Sequence, residues 1–222
     1  SAVVTPPHFL LTWGINFFYF GQIVLAMQYR NAHPEERGGL AAVLLLWALL
    51  IGHWALAVDP SYGILGVRNQ AFLATSPVSF VPLLVIVHLY AGKRWSSTAA
   101  AALYMAVIIV LMQVFQLFPA TPRLGPVYHR IPTFFPPPFP LLLVVPAALV
   151  DLTLRRSALE RPLRTCLKVA VVFVVSFNAT NWAASAFLTS PLAMNRFFAG
   201  GFPGAAFLPQ DRYSPRAGLD VA

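Results

Sequence analysis

Eight polar side chains interrupt the long apolar stretches of this chain, and they are the residues whose chemistry could matter. The five amides, two imidazoles and one carboxylate are Asn16, Gln22, His53, His88, Gln113, Asp151, Asn178 and Asn181. Such a group is costly in hydrocarbon, so its position indicates a functional role by default. Imidazole could ligate a metal or a haem, whereas an amide could contact a substrate or hydrogen-bond a neighbouring helix.

The histidine pattern does not favour a haem held between two of them. His53 is predicted about 14 residues and His88 about 4 residues from the cytoplasmic ends of their spans, which separates them by roughly 15 Å in depth. No His-x-x-x-His or His-x-His pair places two nitrogens on one helical face. His53 and His129 are the candidates for a single ligand to a metal shared with a partner, and the identity of that metal stays open.

Helical rise sorts the other polar residues by depth. The members expected in the outer half of the membrane form one predicted intramembrane polar cluster, which comprises Asn16, His53, Gln113, Asn178 and Asn181. Interhelical hydrogen bonding is the favoured interpretation for Asn178 and Asn181, because small neighbours such as Ala179 permit close helix approach.

Asp151 is expected near the cytoplasmic edge, where Arg155 stands one helical turn further along. An i to i+4 ion pair would satisfy its carboxylate there with little desolvation. The neighbouring basic residues are expected to contact lipid headgroups, and they are Arg155, Arg156, Arg161 and Arg164.

Six apolar stretches position these residues, and they make the chain an all-α, polytopic membrane helical bundle. The predicted spans are residues 9–28, 39–58, 76–92, 98–118, 139–154 and 168–188. A full crossing needs about 20 residues, so the third and fifth spans are short enough to be re-entrant or shallow. The six-span domain covers residues 1–188.

Basic residues predict the orientation of the bundle. Nine of the fifteen follow spans one, three and five: Arg30, Arg37, Lys93, Arg94, Arg155, Arg156, Arg161, Arg164 and Lys168. The positive-inside rule places these connections in the cytoplasm and both termini on the outer, periplasmic side of a cell inner membrane. A proline-rich loop at 119–138 and a Gly-, Pro- and Phe-rich tail at 189–222 are then external.

Composition excludes several classes of protein. The chain is 58% hydrophobic and 10% charged, with a mean hydropathy of +0.70. Its net charge of +8 fits anionic lipid better than nucleic acid, because the basic residues stand at span ends. Cys166 is the single cysteine, so the chain cannot form an internal disulfide or a Cys-based metal site. No nucleophile elbow, Walker loop or dinucleotide-binding turn is present, so catalytic residues are unknown and nothing supports a self-contained enzyme.

Two segments resemble the A-type transmembrane subunit of copper-dependent membrane monooxygenases, the particulate methane and ammonia monooxygenase family. The first is Ser76-Pro77, an apolar run, and the turn Lys93-Arg94-Trp95. The second runs from Phe139 through VVPAALVDL, ending at Leu152, and is followed one span later by Asn181-Trp182.

The resemblance implies a mainly scaffolding subunit of an oxidoreductase complex, with copper bound mainly by partner subunits. We therefore predict a multi-pass subunit that contacts membrane lipids and other membrane proteins. A small-solute or lipid transporter is one alternative, because Pro82 and Pro146 interrupt two spans. An accessory protein that binds pigment or lipid is another, with His53 or His88 as a single chromophore ligand.

Overall fold

The computed structural model describes residues 6–36, 38–64, 69–119, 139–156 and 162–188, and these ranges are folded into seven α-helices. The helices are α1 (Pro6–Ala32), α2 (Gly38–Ile64), α3 (Asn69–Ala91), α4 (Ser96–Phe115), α5 (Val144–Arg156), α6 (Pro162–Ala183) and α7 (Ser185–Leu188). Within these ranges no residue belongs to a β-strand. The all-α prediction is confirmed.

Four of the helices in the described ranges contain segments long and apolar enough to cross a membrane. These segments are Leu10–Ala32, Gly38–Ala55, Ser96–Phe115 and Pro162–Ala183. Ser79–Ala91 is a shorter apolar segment within α3. These helices support a membrane protein, whereas six complete crossings remain a prediction.

The fifth predicted span differs most from a continuous crossing. Its helix, α5, has 13 residues, which at 1.5 Å per residue gives about 20 Å. Residues 139–143 before it are not helical, although Leu141 and Leu143 are buried. The main-chain N–H of Leu141 donates to the Tyr104 hydroxyl over 3.0 Å. A side chain thus supplies the hydrogen bond that a helix would otherwise provide.

The chain divides into two compact units, of which the first comprises Ser1–Met105 and Leu141–Trp182. Within it, α1 packs against α2, α2 against α3, and α3 against α5. The buried core includes Trp47, Phe80 and Val150. Ala100 and Ala147 are fully buried as well, and their small side chains permit close helix approach.

Two contacts bring the ends of helices in this unit together. Arg30 Nη1, near the end of α1, donates to the Ala91 carbonyl at the end of α3 over 3.1 Å. The Arg155 guanidinium, near the end of α5, lies 5.5 Å from the centre of the Trp95 ring, just before α4. The connections that follow α1 and α3 and the end of α5 therefore share one end of the unit, which we call the basic end. Its assignment to the cytoplasm remains a prediction.

The second unit comprises Ala106–Pro140 and Ala183–Ala222. Its described part includes an edge-to-face contact between Phe139 and Phe187, whose ring centres are 4.8 Å apart. The loop at 120–138 and the tail at 189–222 lie outside the described residues, so the predicted external loop and tail are not tested.

Candidate functional site

The carboxylate of Asp151 forms a polar centre at the basic end of the first unit. Its Oδ1 lies 2.6 Å from Nδ1 of His88 and accepts the main-chain N–H of Ser97 over 3.3 Å. Its Oδ2 accepts the main-chain N–H and the hydroxyl of Thr98, over 2.9 and 2.7 Å. Asp151 is fully buried, and the His88 side chain is 14% exposed. One carboxylate on α5 thus joins α3 and α4.

Local sequence explains why α4 begins at this carboxylate. Gly92 ends α3 with a φ of 65°, a left-handed conformation that glycine adopts without steric cost. After the turn, the Ser96 hydroxyl hydrogen-bonds the main chain of Lys93. The first N–H groups of α4 have no partner within their own helix. Asp151 accepts two of them, and a negative charge is also favoured at this end of the helix dipole.

The arrangement determines what His88 can do chemically. In the neutral tautomer that carries its hydrogen on Nδ1, the ring donates to Oδ1 of Asp151 and keeps a lone pair on Nε2. The same carboxylate–imidazole arrangement orients histidines that bind metals and histidines that transfer protons. Within the described residues, however, no group of three or more His, Cys, Asp or Glu side chains could hold a metal ion. His88 can therefore contribute one nitrogen here, for a proton or for a ligand held elsewhere.

These contacts correct the predicted partner of Asp151. The carboxylate bonds His88, Ser97 and Thr98, whereas the guanidinium of Arg155 stacks on Trp95. The reason is the direction of the two side chains along α5: Asp151 is buried while Arg155 is exposed, so spacing of one turn does not bring them together.

A second histidine lies between α1 and α2. The His53 ring lies near the main-chain carbonyl of Thr12, and this carbonyl accepts an N–H from Nδ2 of Asn16 over 2.9 Å. Oδ1 of Asn16 and Nε2 of His53 are buried without a hydrogen-bond partner. We call Thr12, Asn16 and His53 the α1–α2 polar pair site. Two of the five predicted cluster members are thus brought to one carbonyl.

The other three members of the predicted cluster have separate environments. Asn178 Nδ2 donates to Val174 and Asn181 Nδ2 to Phe177, each on its own helix, over 2.8 and 2.7 Å. Bonds to their own helix replace the expected bonds between helices for these amide nitrogens. Gln113 is exposed and belongs to the second unit.

The remaining predicted positions are only partly described. Arg156 and Arg164 are exposed, as a headgroup contact requires, but no lipid tests that role. Arg161 and the candidate metal ligand His129 lie outside the described residues.

The sequence pattern contained one signal for the pair of His88 and Asp151. Both residues were placed near the cytoplasmic edge, so their predicted depths already agreed. Spacing could not show that α3 and α5 are neighbours.

Comparison with protein-family models, curated proteins and solved structures finds no match to this chain.

Proposed function

We propose that the chain is an integral membrane subunit of a larger membrane protein complex, with a mainly scaffolding role. The favoured complex is an oxidoreductase of the copper membrane monooxygenase type in a cell inner membrane, on the sequence resemblance described above. The structural observation that carries the subunit role is the environment of α1, a helix long enough to span the bilayer that is covered on one side only.

The outward surface of α1 suits a protein neighbour. Only 11% of its most apolar window is buried, and its main neighbour is α2. The uncovered side displays Phe17 and Phe18, which are 68 and 63% exposed. Large aromatic side chains are enriched where protein chains contact each other.

The α1–α2 polar pair site supports the same role. A buried polar atom without a hydrogen bond costs about 1–3 kcal/mol, and this site has one on Asn16 and one on His53. A small shift of α1 against a neighbouring subunit would give these atoms a partner. The described donors do not fit a self-contained copper site, so the proposal assigns copper mainly to partner subunits.

Native mass spectrometry and metal analysis of gently solubilised protein test the proposal. We expect stable partner subunits and copper in a fixed ratio to this chain. A lone oligomer without metal would instead support a transporter, and a bound chromophore would support the accessory pigment-binding alternative. Either result would contradict the proposal that the chain is a subunit of an oxidoreductase complex.

Photo-crosslinking tests the surface itself. A photoreactive amino acid at Phe17 should crosslink to one identified partner subunit, because this side of α1 would face protein. The control position is Val171 on α6, which is also apolar and 53% exposed. A photoreactive amino acid there should crosslink to lipid. Crosslinks from Phe17 to lipid alone would remove the structural support for the proposal.

A transporter is the second candidate, and the fifth span favours it. Buried, non-helical residues precede α5, and irregular backbone at membrane depth is tolerated when protein buries it or when it lines a cavity. Many transporters build their binding sites from such broken helices. Purified protein in sealed proteoliposomes should then accumulate a solute or move protons, and His88→Ala should abolish that movement. Absence of both activities would exclude this candidate.

A further inference from the structure

An apolar groove of about 410 Å³ lies between α1, α2 and α3 in the first unit. Its volume falls within the roughly 300–1,000 Å³ of typical ligand pockets. The floor includes Trp47, which is 1% exposed. The groove is separate from the polar centre at Asp151 and from the α1–α2 polar pair site.

One face of α1 forms the longest wall of the groove. The wall residues follow each other at alternating spacings of three and one, as one stripe of a helix does, and they are Phe20, Ile23, Val24, Met27, Gln28 and Asn31. The eleven helical rises from Phe20 to Asn31 cover about 16 Å. Since the hydrocarbon core is about 30 Å thick, the groove is as long as one leaflet is deep.

The chemistry of the wall changes along this length. The deep part is apolar, and Phe20 there packs edge-to-face on Trp47 with ring centres 5.9 Å apart. Gln28 and Asn31 stand at the other end, where Tyr90 of α3 also lines the groove. The groove therefore runs from apolar to polar toward the basic end, as a lipid molecule does from chain to headgroup.

The charges around the polar end favour an anion. Arg30 adjoins Asn31 and is held against α3 by the Ala91 carbonyl, which leaves further guanidinium N–H groups for a ligand. Lys93 and Arg94 are exposed in the next turn. The acidic residues of the α1–α2 connection are Glu35 and Glu36, and Glu36 accepts the Tyr29 hydroxyl over 3.0 Å.

We propose that this groove binds one anionic phospholipid, with an acyl chain along α1 and the headgroup at Gln28, Asn31 and Tyr90. Three observations support this occupant: the one-leaflet length, the apolar-to-polar gradient, and the excess of basic side chains where the gradient ends. The site holds a specific lipid, unlike the general headgroup contact predicted for the arginines of α5 and α6.

Fluorescence quenching in lipid nanodiscs tests the occupant in the wild-type protein. The probes are phosphatidylglycerol and phosphatidylcholine, each brominated near the end of one acyl chain and added as a minor component. Subtracting the signal of the Trp47→Phe variant isolates Trp47. Bromine in the groove should quench Trp47 strongly with phosphatidylglycerol and weakly with phosphatidylcholine. Equal quenching by both lipids, or no quenching by either, would overturn the proposal.

A variant that fills the groove and a variant at the adjacent residue provide a matched pair. Val24→Trp places an indole in the groove, whereas Leu25→Trp adds the same group outside it, at a position 59% exposed. Native mass spectrometry with added phosphatidylglycerol should show at least about tenfold weaker binding of one lipid, roughly 1.4 kcal/mol, for Val24→Trp. Leu25→Trp should retain that lipid. Equal binding by the two variants would contradict the assignment.

Discussion

Nδ1 of His88 lies 2.6 Å from Oδ1 of Asp151, and this contact joins the end of α3 to the middle of α5 across 63 residues of sequence. The second oxygen of the same carboxylate is bound by Thr98 at the start of α4. Three helices therefore meet at one fully buried acidic group. Breaking a buried charged hydrogen bond leaves an unsatisfied partner, which costs more than the bond itself contributes.

Asp151→Asn should destabilise the fold by about 3 kcal/mol or more. The asparagine NH₂ group replaces one of the two carboxylate oxygens, so the main-chain N–H of either Ser97 or Thr98 loses its acceptor. Thermal unfolding in a mild detergent measures the loss. Glu35→Gln is the control, because Glu35 is exposed in the α1–α2 connection, and it should change stability by less than about 0.5 kcal/mol.

The effects of changing His88 and Asp151 should not be additive. In a double-mutant cycle of His88→Ala and Asp151→Ala, the coupling free energy should be about 1–3 kcal/mol, because each variant removes one partner of the same hydrogen bond. The free energies of unfolding of the four proteins give this value directly. A coupling near zero would mean that the two side chains do not interact in the membrane.

The hydroxyl of Thr98 should contribute more to stability than the volume of its side chain does. Thr98→Val keeps the volume but removes the donor to Oδ2 of Asp151, and we expect a loss of about 1–2 kcal/mol in the same unfolding measurement. Thr98→Ser should restore most of it. Thr153→Val is matched to this change, since the Thr153 hydroxyl bonds only Leu149 on its own helix. A similar loss from both valine variants would contradict the special position of Thr98.

Gly92→Ala should destabilise the protein by about 1–2 kcal/mol. The residue has a φ of 65° and no atom within 4 Å of an added Cβ, so the cost is conformational strain and not a clash. Gly21 has the same open surroundings without a positive φ. Thermal unfolding should therefore show a clearly smaller change for Gly21→Ala, and an equal change would rule out strain as the cause.

Sidedness is testable with single cysteines in a Cys166→Ser background. Glu35→Cys, Arg94→Cys and Arg156→Cys should all react with a membrane-impermeant maleimide from one side of sealed vesicles, because contacts of Arg30 and Arg155 bring these connections to the basic end. The positive-inside rule further predicts reaction from the cytoplasmic side. Reaction from different sides would contradict the fold, and common reaction from the outside would reverse the orientation.

Sequence patterns were sufficient to predict most of the helices, whereas the depth of each residue in the membrane stays a prediction. Apolar runs between polar turns gave α1, α2 and α4 to within a few residues at most bounds, since lipid exposure requires every backbone group to bond within a helix. The charge pattern also grouped the basic connections that Arg30 and Arg155 bring together. The same pattern predicted that His88 and Asp151 lie at one depth, but it did not predict that they contact each other.

The tertiary structure decided which helices are neighbours, and hence which polar groups meet. Spacing along α5 suggested Arg155 as the partner of Asp151, because sequence reveals only contacts within one helix. Packing of α3, α4 and α5 instead supplies His88, Ser97 and Thr98 from elsewhere in the chain. The same holds for His53 and Asn16, which meet at the Thr12 carbonyl only because α1 packs on α2. Hydropathy determines how deep a residue lies, whereas the shapes of facing side chains determine what stands beside it.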